Sequence, residues 1–152
     1  MAVDFPALHD TELADLQVLR SLDTLDRTEP AERPITFFDL LTHRSGLTYG
    51  SFHPGPLGET YHAALGAEID SLRDPDDWIA ALGSLPLVDH PGRTFHYGHS
   101  TDLLGLLMAR VADVPLEHLV RDRILGPLGM ADTGFTVPPE RRHRRAVAYG
   151  FD

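Results

Sequence analysis

The sequence has no lysine. All thirteen of its basic side chains are arginine, set against 23 acidic ones. A reaction that activates a hydroxyl through a neighbouring lysine ammonium therefore lacks that group within these 152 residues. Cysteine is absent too, which excludes disulfides and thiolate metal sites and leaves the redox compartment unreadable. No apolar run approaches the roughly 18 residues of a membrane span, and mean hydropathy is slightly negative at −0.16. Positive charge is scarce: the net charge is −10. That balance argues against nucleic acid as a partner, because neutralising phosphates needs clustered basic groups. The one basic cluster, Arg141-Arg142-His143-Arg144-Arg145, reads as a solvated turn or short helix after Pro138-Pro139. Residues 1–10 carry two acids, no arginine and no apolar stretch, so no secretory signal is expected there. With neither signal nor span, the compartment stays unknown and the cytoplasm is the default.

What is present suffices for a core. Apolar residues make up 42% of the chain, and a domain of this length buries roughly 68–70% of its unfolded surface. Residues 1–33 are acidic and weakly patterned, and read as an irregular lead-in to a domain over 34–152. Within the lead-in, Leu13, Leu16, Val18 and Leu19 suit a short helix or extended segment, and 21–34 has loop composition. Thr36 with Asp39 has capping-box spacing. Phe37, Leu40 and Leu41 then predict one apolar helix face, stopped by Gly46. A Gly/Pro-rich loop is expected over 48–58. A helix is expected over 59–69, with Tyr61, Leu65 and Ile69 on one face. Asp74-Pro75-Asp76-Asp77 is a strong helix start, with Trp78, Ile79 and Leu82 inward and Gly83 as stop. The stretch from Ser100 to Val111 is apolar almost all round, which predicts a central helix. Pro115 opens a further helix through Ile124, and 146–150 suits a short strand.

Two long motifs carry the chemistry: Pro34-Ile35-Thr36-Phe37-Phe38-Asp39-Leu40-Leu41-Thr42-His43-Arg44-Ser45-Gly46-Leu47 and Pro91-Gly92-Arg93-Thr94-Phe95-His96-Tyr97. Asp102-Leu103-Leu104-Gly105 and a run from Gly126 to Phe135 follow them in order. Together these resemble the serine β-lactamase-related superfamily of class C β-lactamases, D-alanyl-D-alanine peptidases and lactamase-like esterases. The resemblance covers about Pro34 to Tyr149. It implies the helical subdomain of the α+β, penicillin-binding-protein-like fold, so the chain is expected to be mostly α. The long Gly/Pro loop and the Trp78 helix lean toward the esterases.

The resemblance also implies a mechanism. In the superfamily a Ser-x-x-Lys supplies the nucleophile and its base. A Tyr-x-Asn, or only its Tyr in many esterases, moves protons. A Lys/His-x-Gly strand supports the oxyanion hole, and ester or amide is cleaved through an acyl-serine. Tyr97 matches the tyrosine. Gly98 and His99 stand where Ser or Ala and then Asn stand in a lactamase, so His99 is a candidate in the Asn position. Tyr49 and Gly50 fall where such enzymes have a substrate-pocket wall. No cofactor or metal is implied. His90, His96 and His99 are not expected to form a zinc site, nor Asp39, His43 and Ser45 a triad, since those three lie on one helix and turn.

None of the six serines has Lys or Arg three residues on. The expectation is therefore an internal piece of such an enzyme, inactive alone, whose parent cleaves a small ester or amide. A chain bringing Ser-x-x-Lys would be a complementing partner. The alternative is a non-catalytic helical module, a pseudoenzyme that binds a ligand or partner.

Overall fold

Local signals at helix starts and one long-range pairing organise the chain, seen in a computed structural model that describes residues 13, 15–22, 24–66, 71, 73–147 and 149. It comprises two compact units, Met1–Leu107 and Met108–Asp152.

In the first unit, β1 (Gln17–Leu19) pairs antiparallel with β2 (Thr28–Pro30), Val18 opposite Glu29. This corrects the expectation of loop over 21–34, where β2 forms. The reason is not local. Leu19 N–H donates to Leu87 O at 2.9 Å and Leu87 N–H to Gln17 O at 2.8 Å, so β1 is hydrogen-bonded on both edges. Leu16, Val18 and Leu19 are buried with Leu87 in the core.

The Thr36 capping box forms as its spacing predicts. The Thr36 hydroxyl accepts from Asp39 N–H, and the Asp39 carboxylate accepts from Thr36 N–H at 2.8 Å. Helix α1 (Phe37–Leu41) follows. Only Leu40 of its expected apolar face is fully buried, whereas Leu41 is exposed. Asp39 does more than cap. It is buried and takes both nitrogens of the Arg33 guanidinium, at 2.7 and 2.8 Å.

Helix α2 (Pro56–Leu65) starts inside the stretch expected to be loop, with Pro56 in its first turn. Tyr61 and Leu65 are buried as their spacing predicts; Ile69 lies outside the described residues. Helix α3 (Pro75–Gly83) is capped by Asp74, whose Oδ1 accepts from Asp76 N–H at 2.9 Å, and it buries Trp78, Ile79 and Leu82. Helix α4 (Ser100–Ala112) is less central than expected: Leu103 and Leu107 are buried, but Met108 and Val111 are exposed.

In the second unit, α5 (Leu116–Val120) runs into a wider turn over Arg121–Leu125, and Leu125 is buried. A 3₁₀ turn, Pro139–Arg144, presents the basic cluster to solvent, and Arg141 and Arg144 pair with Asp132. Ala146, Val147 and Tyr149 lie outside any strand, while the rest of the strand expected over 146–150 is outside the described residues. The described residues are thus mostly helical with one two-stranded sheet. No helix among them is long and apolar enough to cross a membrane.

The Arg33–Asp39 pair makes a sign-definite prediction. Burial raises the Asp39 carboxyl, but bonds from Arg33 and Thr36 outweigh it and hold it below the ordinary carboxylate range. A carboxylate depressed by folding stabilises the fold above its unfolded pKa of roughly 4 and loses that contribution as pH falls through the lower folded value. Urea unfolding should show stability falling below about pH 4. Asp39→Ala should cost about 3 kcal/mol near neutral pH, the low end for a buried pair because Arg33 stays half in water, and should blunt the acid limb.

Candidate functional site

The motif residues of the site lie where two stretches of backbone run against each other. His96 N–H donates to His43 O at 2.8 Å, Gly92 N–H to Arg44 O at 2.7 Å, and Val88 N–H to Gly46 O at 2.9 Å. The Ser45 and Ser100 hydroxyls bond at 2.8 Å in the buried layer beneath, and Leu47 N–H donates to Ser45 Oγ at 3.1 Å. Two glycines permit this approach. Gly46 has φ +83, and a Cβ there would be driven into Asp89 O. A Cβ on Gly98 would be driven into the Thr48 backbone. The Tyr97-Gly98-His99 segment is thereby seated directly on the end of the first motif.

Tyr97 rises from this seat into a group of rings. It stacks on His43 with centroids 5.1 Å apart, meets Tyr49 edge-on at 5.7 Å and lies 6.2 Å from Phe52. Tyr49 and Phe52 are 6.0 Å apart. Tyr97 is 55% exposed, and its hydroxyl has no hydrogen-bond partner among the described residues. The His43 backbone has φ +52, an uncommon left-handed conformation outside glycine, which turns its ring under Tyr97.

The other three candidate residues differ in exposure. Tyr49 is half-buried, its hydroxyl donating to Asp102 Oδ2 at 3.0 Å. Gly50 is buried, packed against Gly58 and Tyr61. His99 is 1% exposed. Its Nδ1 bonds the same Asp102 oxygen at 3.2 Å, and its ring lies edge-on to Tyr49 at 4.4 Å and to Trp78 at 5.4 Å. His99 therefore sits under the aromatic surface and does not line it. The structure brings Tyr97, Tyr49 and His99 together and leaves Gly50 as a spacer.

Electrostatics follow the same geometry. Burial raises the Asp102 carboxyl, but hydrogen bonds from His99 and Tyr49 outweigh it and hold it below the ordinary range. Burial, with His96 nearby, lowers His53, whose Nε2 lies 3.0 Å from Thr48 Oγ1. The three histidines weighed as metal ligands turn to separate partners: His90 to Glu29, His96 toward Asp89, and His99 to Asp102. Among the described residues no cluster of His, Asp and Glu is arranged to hold a metal ion. Asp39, His43 and Ser45 do not converge. Asp39 binds Arg33, His43 Nε2 lies 3.3 Å from Thr101 Oγ1, and Ser45 binds Ser100.

Sequence reasoning missed Phe52, His43 and Asp102 at this site. Asp102 carried a readable signal: it stands three residues after His99, one turn apart at a helix start. The His43 and Phe52 rings reach Tyr97 only through the chain reversal between the two stretches, which no local pattern reports.

Comparison with known proteins agrees with the motifs. The Beta-lactamase family model matches residues 14–151. An uncharacterized protein of Mycobacterium tuberculosis is 44% identical over 128 residues, covering 84% of this chain and 31% of its own length. Esterase EstB of Burkholderia gladioli is 35% identical over 118 residues, covering 76% of this chain and 29% of its own length. Among solved structures, unliganded simvastatin synthase from Aspergillus terreus superposes with TM-score 0.65 at 31% identity, over 89% of this chain and 33% of that one. The chain thus spans about a third of the length of the relatives it matches.

The glycine seat is testable. Gly98→Ala should destabilise the chain by about 1–3 kcal/mol, the usual cost of overpacking. It should also shift the Tyr97 ring resonances by lifting Tyr97 from His43. Unchanged stability and unchanged Tyr97 shifts would show that the seat does not position the ring.

Proposed function

This chain belongs to the β-lactamase family, and we propose that it carries the tyrosine side of an acyl-serine hydrolase of the esterase branch. The supporting observation is Tyr97, half-exposed at the centre of an aromatic surface, held from below by His43 and with its hydroxyl unbonded among the described residues. In this reading the Tyr97 hydroxyl exchanges a proton with the attacking serine hydroxyl and then with the leaving alcohol. Tyr49 and Phe52 flank the acyl or alcohol part of a small ester. His99, buried and turned to Asp102, gives the substrate no direct hydrogen bond where a lactamase presents its Asn, which favours esters over β-lactams.

No serine here is followed at three residues by Lys. The nucleophile and its base must then come from polypeptide outside these residues, as must the oxyanion strand. The missing lysine equally supports a second reading, a non-catalytic module that uses the aromatic surface to bind a ligand.

The two readings part in one experiment. The chain is mixed with a polypeptide comprising the remainder of an esterase relative, including its Ser-x-x-Lys, and a short-chain nitrophenyl ester is added. We expect no turnover from the chain alone, turnover in the mixture, and a loss of roughly 10²–10⁴ in rate with Tyr97→Phe, the range of general acid–base contributions. Folded partners that associate without turnover would favour the binding module. Turnover indifferent to Tyr97→Phe would remove Tyr97 from the chemistry.

A further inference from the structure

We propose that Asp102 is a positioning residue of this site: one carboxylate oxygen holds buried His99 in its Nδ1–H tautomer and anchors the Tyr49 hydroxyl, so that the Tyr49 ring stands edge-on to both His99 and Tyr97. Both bonds converge on Oδ2, from His99 Nδ1 at 3.2 Å and from the Tyr49 hydroxyl at 3.0 Å. An ionised carboxylate only accepts, so both partners donate. That assigns a proton to Nδ1, and in the neutral imidazole it leaves Nε2 a bare acceptor.

The surroundings agree. His99 Nε2 is buried and has no hydrogen-bond partner among the described residues. The ring is enclosed by Tyr49, Trp78 and Tyr61, with centroids at 4.4, 5.4 and 6.4 Å. The two phenols beside the ring turn elsewhere: the Tyr49 hydroxyl donates to Asp102 Oδ2 at 3.0 Å and the Tyr61 hydroxyl to Pro86 O at 2.9 Å. The opposite tautomer would set the Nδ1 lone pair against the carboxylate and bury an unpaired N–H among the rings, losing the bond and adding a desolvation cost. Asp102 is fixed in turn by its place in the first turn of α4, where the helix dipole favours an acid. Tyr49 therefore carries the alignment outward: its hydroxyl is tied to Asp102, its edge covers His99, and its ring borders Tyr97 at 5.7 Å.

The tautomer claim stands on geometry alone, whereas its value to catalysis rests on the reading of Tyr97 above. The test needs no activity. Two-bond ¹H–¹⁵N correlation on the full chain labelled at histidine, near neutral pH, reads the His99 tautomer directly, and ¹³C-labelled tyrosine reads Tyr97. We expect Nδ1–H in the wild type. Tyr49→Phe should keep that tautomer and shift the Tyr97 ring signals. Asp102→Leu should convert His99 wholly or partly to Nε2–H and shift Tyr97 as well. An Nε2–H wild type overturns the proposal. So does a Tyr49→Phe variant with unmoved Tyr97 signals, or a folded Asp102→Leu variant that retains Nδ1–H. Should Asp102→Leu fail to fold, the first two measurements decide. A chain with the Nδ1–H tautomer but no turnover in the complemented mixture would sink the hydrolase reading and leave this one standing.

Discussion

Residues 43–48 and 88–100 touch backbone to backbone, and the site depends on that contact. Three main-chain hydrogen bonds and a buried serine pair close it. Such an approach leaves no room for a Cβ at Gly98. Because the two stretches cannot separate without exposing these groups, the side chains on either side inherit a fixed spacing. Tyr97 above His43 is the visible result. The same contact reaches the N-terminal hairpin, since Leu87, one residue before the zipped stretch, is bonded to β1.

Above this seat the chemistry divides into two layers. Tyr97, Phe52 and part of Tyr49 form an exposed aromatic surface. Beneath it, the buried His99 ring is boxed by Trp78 and Tyr61 and bonded to the half-exposed Asp102 carboxylate. This lower layer is closed to solvent at His99, which is 1% exposed. Its effect is to hold the upper one, which is how outer groups orient the groups that react. If His99 holds the Asn position, as proposed, an imidazole turned inward to Asp102 there moves hydrogen-bonding capacity from the surface to the support.

Membership of the β-lactamase family and a span of about a third of its relatives' length belong together. On the reading proposed above, only the tyrosine motif of the three lies in these residues. A hydroxyl nucleophile is weak at its free pKa and needs a base beside it. These residues contain no lysine, and their arginines stay protonated and cannot be that base.

Much of this was legible in the residues alone. The Thr36 box, the Asp74 start of α3, the inward faces of α2 and α3, and the family itself were readable, because capping, proline placement and apolar period are local physics acting within a turn or two. The motif singled out Tyr97, which the structure places among the rings of His43, Tyr49 and Phe52. What the residues did not reveal depended on partners far along the chain. The hairpin at 17–30 exists because Leu87 bonds β1. Asp39 became a buried ion-pair partner because Arg33 folds back on it. His99 went inward because Asp102, Tyr49 and Trp78 enclose it. Local sequence determined which helices start where and which superfamily the motifs spell. Tertiary structure alone decided which polar side chains face a ligand and which are buried to hold the others, since burial and hydrogen-bond pairing are settled by whichever distant segment arrives to cover them.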